Sequence, residues 1–187
     1  MKIITIGAHS DDNEIGMGAS LNKFSKLGHD VTIIDLILPG ENNKGKFDIA
    51  NKNKRKIEAK NAAKVLECNK KILDFEQSDY NFERKYIQEV DHVINSLTPD
   101  IVFMNWVGDS HQDHWVTAKI VMACARKNQF SLMMYEQMTP GGITNNHFKA
   151  QYFVDVSDFI DKKIESLNCY ESQKLMYGDW SESIKAR

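Results

Sequence analysis

The chain has 187 residues, 42% of them hydrophobic and 27% charged, which is enough for one domain with a substantial core. Its 24 basic and 26 acidic side chains leave a formal charge of -2. That balance excludes any global pull toward nucleic acid or an anionic membrane.

Apolar, β-branched runs alternate with helical patterns along the chain. The first strand is expected over 3–8 and the first helix near 14–27. Residues 31–38 are apolar on both faces, as in an interior parallel strand. A helix near 50–67 follows, with Ala59, Ala62, Val65 and Leu66 on one face and Lys54, Lys56, Lys60 and Lys64 mostly off it. Further strands are expected at 71–75, 101–105, 132–135 and 152–156, and further helices near 83–97, 114–127 and 158–176. This alternation predicts a single α/β domain, Rossmann-like and doubly wound, with a mostly parallel sheet and helices on both faces. Polar loops at 39–49 and 139–147 are expected to shape specificity. Cys68, Cys124 and Cys169 form no Cys-x-x-Cys and read as reduced thiols. The N-terminal apolar run is too short for a signal peptide, and no stretch approaches the roughly 20 apolar residues of a membrane span. A soluble, cytoplasmic protein is expected.

Two clusters carry chemistry. His9-Ser10-Asp11-Asp12 follows the first strand, and His111-Gln112-Asp113-His114 follows the fourth. In a parallel sheet of order 3-2-1-4 these strands are neighbours, and their C-terminal ends open on the crevice where such folds bind ligands. Imidazole and carboxylate together suit zinc or another divalent transition metal, Fe(II), Mn(II) and Co(II) included. The blander reading is that Asp11 or Asp12 caps one helix and Asp113 the other. Gly16 and Gly18 allow close backbone packing but make no GxGxxG, so a dinucleotide site is poorly supported. His29 and His92 read as structural or solvated, and His147 as a residue at the pocket edge at most. Trp106, Trp115 and Trp180 suit core packing or stacking on a sugar. The Met133-Met134 pair reads as core.

The segments Ala8-His9-Ser10-Asp11-Asp12-Asn13-Glu14-Ile15-Gly16-Met17-Gly18-Ala19, Pro99-Asp100-Ile101-Val102-Phe103 and His111-Gln112-Asp113-His114 resemble, in order, motifs of the LmbE/PIG-L family of zinc-dependent N-deacetylases. Arg55-Lys56-Ile57-Glu58 looks like its RxxE, and Val154-Asp155-Val156 and Glu171-Ser172-Gln173 are similar to its closing elements. Ser10, Asn13, Ala19 and Tyr170 stand where Pro, Glu, Gly and often His are usual, and Glu14 is expected to serve the helix start in place of Asn13.

The resemblance implies one Zn2+ per chain held by His9, Asp12 and His114, with a fourth position left to water. It implies Asp11 as general base, and a protonated His111 that stabilises the oxyanion or protonates the departing amine. Asp113 would orient one of these histidines; Asp109 would do the same or serve only its turn. Arg55 would bind a substrate hydroxyl or phosphate, against the reading that 44–71 is a solvated charged face. The implied partner is a small acetamido sugar or conjugate, N-acetylglucosamine-like, and a homo-oligomer is compatible with a short chain. The alternatives are a metal amidase on a non-sugar N-acyl substrate and a non-catalytic Rossmann-like binder of nucleotide or metal.

Overall fold

The computed structural model describes residues 1–40, 46–127, 129–137, 147–177 and 181–185. Strands β1 (Lys2–Gly7), β2 (Asp30–Ile37), β3 (Asn69–Phe75), β4 (Ile101–Asn105) and β5 (Ser131–Tyr135) form one sheet, all parallel, in the order β3-β2-β1-β4-β5. The first four therefore take the expected 3-2-1-4 order. Ile3 pairs with Ile101 and Ile6 with Met104, so β1 and β4 run in step and end side by side.

Pleat alternation sorts the buried residues into two layers. Ile4, Ile6, Ile34, Leu36, Val102 and Met104 pack on one face with Val90 and Ile94 of α3 (Arg84–Leu97) and Ile120 and Val121 of α4 (Gln112–Ala125). Ile3, Val31 and Ile33 point the other way, onto Met17 and Leu21 of α1 (Asp12–Lys26) and Ala63 of α2 (Ile49–Val65). A third cluster joins α2, through Ala59 and Ala62, to Leu167 of α5 (Ile160–Asn168) and to Tyr170. Met134 packs against the first layer, as expected for core. Among the described residues no helix is long and apolar enough to cross a membrane.

Two elements depart from expectation. Residues 151–156 form no strand, and Tyr152 and Phe153 are 79% and 84% exposed. Local polar bonds claim this backbone instead. Lys23 Nζ donates to the Asp155 carbonyl at 2.7 Å, and the Asp155 carboxylate accepts from Ser157 N and Oγ at 3.1 and 2.7 Å, opening the turn into α5. Such side-chain bonds compete with a ladder. The helix expected over 158–176 is broken into α5 and α6 (Glu171–Tyr177), and at the break Tyr170 turns its ring inward. A last short helix, α7, spans Ser181–Lys185.

Candidate metal centre

The site is built where β1 turns into α1, and the turn is tight. A Cβ on Gly7 would lie 2.7 Å from Asn13 Nδ2 and 2.9 Å from Asp12 Cβ, so only glycine lets the helix start come this close to the strand. Beneath it Asn13 is fully buried. Its carbonyl accepts from Thr5 Oγ1 at 2.7 Å and Tyr135 Oη at 3.2 Å, while Nδ2 donates to the Ile34 carbonyl at 3.1 Å and Asp35 Oδ1 at 3.2 Å. An ionised glutamate, the residue usual in the motif, has no hydrogen to donate. The departure at this position therefore fits its surroundings. Glu14 lies in the first turn of α1, where its carboxylate is buried 3.1 Å from Lys70 Nζ, which also lies 2.7 Å from Asp35 Oδ2. Burial, opposed by Lys70 and reinforced by Glu14, pushes Asp35 up to about 7.

Above this floor His9, Asp12 and His114 each offer a ligand atom, all within 4.8 Å of one another. His9 Nδ1 is 3.5 Å from Asp12 Oδ2, and His114 Nε2 is 3.2 Å from Asp12 Oδ1. Tetrahedral zinc with ligands at about 2.0–2.1 Å sets its ligand atoms roughly 3.3 Å apart, so the spacing fits such an ion. The remote ring nitrogens are also placed. His9 Nε2 meets Asp113 Oδ2 at 3.0 Å, and His114 Nδ1 lies 3.0 Å from Asp109 Oδ2, so each imidazole faces an orienting carboxylate behind it. Asp12 is fixed in turn, since the His9 amide donates to its Oδ2 at 2.8 Å.

Charge supports the same fit. Burial alone would lower His9, but its bonds to Asp113 and Asp12 lift it to about 9. His114 is lowered by burial and lifted further, to about 10, by Asp12 and Asp109. Burial raises Asp12, yet the two histidines hold it well below the usual carboxylate range. Without a metal, protons on the imidazoles balance carboxylates arranged around a cation. A second grouping, His9, His111 and Asp113, draws on the same His9 and includes the exposed His111. It uses the edge of His9 that faces Asp113 rather than Asp12, so we take the deeper set as the cradle.

Asp11 occupies the N-cap position of α1, and its side chain makes no cap hydrogen bond. The capping reading therefore does not account for it. Burial and the neighbouring Asp12 push its carboxyl up to about 6, suited to taking and returning a proton near neutrality. His111 caps α4: its Nδ1 accepts from the Asp113 amide at 3.2 Å, which leaves the ring proton on Nε2. Partial desolvation and the adjacent His9 and His114 charges lower its pKa, and its ring stacks on His114 at 4.6 Å. Asp109 also braces its own turn, since Oδ1 accepts from the His111 amide at 2.8 Å.

Two glutamines went unnoticed in the sequence. Gln77, just past β3, donates from Nε2 to Asp113 Oδ2 at 3.0 Å, and Gln137, just past β5, donates to the Asp12 carbonyl at 3.2 Å. An isolated glutamine gives no pattern. Only their place after the C-terminal ends of strands pointed to them.

The remaining candidates lie farther out. Arg55 is 6% exposed and shares the inward face of α2 with Glu58, while Lys56, Lys60 and Lys64 stay outside. Glu58 accepts from Ser172 N and Oγ at 3.0 and 2.6 Å, which joins the Arg-x-x-Glu segment to the Ser-Gln segment as a helix-docking contact. Tyr170, fully buried, donates its hydroxyl to the Ser10 carbonyl in the turn that carries His9 and Asp12. His29 sits near the N-terminal amine and the Phe24 ring, His92 and His147 are exposed, and Trp115 packs under Lys119. Trp106 meets Phe148 edge-on at 5.9 Å. Trp180, residues 41–45 of the first polar loop and residues 139–146 of the second lie outside the described residues.

A doubly wound sheet with a His-Asp-His cradle and a free carboxylate at its switch point defines a metal-site α/β protein with the parts of a hydrolase. The chain belongs to the PIG-L family, described as GlcNAc-PI de-N-acetylase, whose profile matches residues 4–125. Membership identifies it as an N-deacetylase, as the motifs implied. It is 27% identical over 187 residues to the diacetylchitobiose deacetylase of Thermococcus kodakarensis, covering 92% of this chain and 70% of that protein. It is 29% identical over 178 residues to the uncharacterized deacetylase YaiS of Escherichia coli, covering 91% of this chain and 90% of the other. The crystal structure of GalB, the 4-carboxy-2-hydroxymuconate hydratase of Pseudomonas putida KT2440, superposes with a TM-score of 0.81 at 17% identity, covering 99% of this chain and 83% of that one. At that identity the likeness is one of fold alone.

Proposed function

We propose that the protein removes the N-acetyl group of an acetamido sugar or sugar conjugate, N-acetylglucosamine-like, releasing acetate and a free amine. The reading is supported by the family and by the name of the Thermococcus relative. The observation that carries it is Asp11: a carboxylate adjoining Asp12 of the cradle, at the N-cap position of α1 yet with no capping hydrogen bond. A protein that only bound metal would have no use for it.

His9, Asp12 and His114 would hold zinc through Nδ1, a carboxylate oxygen and Nε2. Bound there, zinc supplies a Lewis acid for the acyl oxygen and a water that ionises near neutral pH. Asp11 accepts the proton of the attacking water and passes it to the departing nitrogen, so the amide C–N bond breaks with the proton conserved. His111, neutral with its proton on Nε2, donates to the acyl oxygen as charge develops there; this replaces the protonated ring expected from the sequence. Asp113 and Asp109 hold the ligand rings in register from behind.

The test measures bound metal and acetate release from N-acetylglucosamine and its conjugates, for wild type and Asp11→Asn. About one zinc in both proteins, with acetate release lost only in the variant, is the expected result. Zinc without acetate from any sugar would overturn the sugar substrate and direct attention to other N-acyl compounds or to water addition. No zinc after reconstitution would overturn the mechanism.

A further inference from the structure

We infer that Gln77 is a positioning residue for the metal centre, acting through Asp113 on the ring of His9. The inference rests on the zinc cradle proposed above. Asp113 Oδ2 receives two donors at 3.0 Å each, His9 Nε2 and Gln77 Nε2. Asp113 is 2% exposed, so its lone pairs have little recourse to water. A carboxylate fixed by one ring alone would be free to swing with that ring. With the amide as a second anchor the carboxylate holds still, and the His9 ring keeps its Nδ1 edge toward Asp12.

The segment carrying Gln77 is itself fastened to α4. The 3-10 turn Gln77–Asp79 closes with Tyr80 N donating to the Gln77 carbonyl at 3.2 Å. Tyr80, buried against Phe75 and Tyr86, exchanges a 2.8 Å hydrogen bond with Thr117 Oγ1. Tyr86 Oη holds the Asp79 carbonyl at 3.0 Å. Gln77 and Tyr80, three apart, thus grip Asp113 and Thr117, four apart, on one stripe of α4. The turn after β3 is docked in the register that brings the amide to Asp113. The residue type fits as well. An amide donates at every pH and adds no charge beside a carboxylate already paired to an imidazole, whereas an acid in its place would repel Asp113.

The test is a double-mutant cycle on zinc affinity, read by competition with a chromophoric chelator for wild type, Gln77→Leu, Asp113→Asn and the double variant. Removing partners that orient metal-ligating histidines weakens binding by about 10–100-fold, and Gln77, one contact farther out, is expected at about 10-fold. In the Asp113→Asn background, where the carboxylate is already gone, Gln77→Leu should change the dissociation constant by less than about 2-fold. Gln77→Ala should follow Gln77→Leu, which separates loss of the donor from any packing effect of leucine. An equal loss in both backgrounds would make Gln77 merely structural, and no loss in either would remove it from the centre; both overturn the inference. Wild-type protein that takes up no zinc overturns the cradle as well, whereas failure on sugars with zinc retained leaves this test intact.

Discussion

Replacing Lys70 by methionine tests how the floor of the site is held. Lys70 Nζ lies 3.1 Å from Glu14 Oε1 and 2.7 Å from Asp35 Oδ2, and all three side chains are 4% exposed or less. Removing one partner of a buried pair destabilises by about 3–5 kcal/mol. One cation serves two carboxylates here, so the upper part of that range is expected at pH 8, a large share of a total of about 5–15 kcal/mol. The variant can relieve the strain only by taking up protons. Unfolded carboxyls titrate near about 4, and Asp35 is already raised to about 7 with Lys70 in place. A raised folded pKa means that the folded state holds more protons, so stability is present at low pH and lost as pH rises from about 4 through the raised value. Lys70 is itself raised above 10.5, so its contribution in the wild type persists through this whole window. Urea unfolding at pH 5, 6.5 and 8 should show the variant near wild type at pH 5 and far below it at pH 8. A loss under about 1 kcal/mol at pH 8, or the same loss at every pH, would refute the reasoning. Should the variant not fold at pH 8, Lys70→Met with Asp35→Asn should recover a folded protein there, because one of the stranded charges is gone.

Asp109→Asn, which removes the carboxylate behind His114, should weaken zinc binding by about 10–100-fold in a chelator competition while the fold persists. Zinc added to metal-free protein at pH 8 should displace about two protons from His9 and His114, raised to about 9 and about 10. Calorimetry in buffers of different ionisation enthalpy reads that number, and unperturbed imidazoles near 6.5 would leave at most about one proton, from bound water. By the same shifts, the two histidines stabilise the metal-free fold fully below about 6.5 and lose that contribution as pH rises through about 9–10. Tyr170→Phe deletes the hydroxyl that holds the Ser10 carbonyl and should lower stability by about 1–3 kcal/mol in denaturant unfolding; an unchanged midpoint would contradict the contact.

The sheet was legible because its central strands are apolar on both faces and the first four are each followed by a helical pattern. Ile3 and Ile4, or Ile33 and Ile34, belong to opposite layers, as their adjacency requires. The ligand candidates were legible because His and Asp crowd two strand ends that the topology makes neighbours. Residues 152–156 misled because Tyr-Phe-Val carries strand propensity, whereas the bond that Lys23 donates to the Asp155 carbonyl comes from a helix far away in sequence, and the Asp155–Ser157 turn lies at the very end of the run. Gln77, Gln137 and Lys70 were invisible for a related reason. Each works through contacts made across the fold, and a single polar side chain on a strand or turn looks like solvent exposure until its partners are in place. Asn13 looked like a weakened motif and proved to be a four-bonded hub.

His9 and Asp12 belong to the first β-to-α turn and His114 to the start of α4, about a hundred residues later. An ion gripped by all three would be a removable bolt between the opening and the middle of the chain. A permanent cross-link closing a loop of 100 residues is worth about 4.7 kcal/mol in the chain-entropy picture. The bolt acts the same way, except that a chelator can draw it out. Metal supply would then set how long each molecule survives heat or protease, as well as how fast it turns over, and a starved protein would be cleared as well as idle.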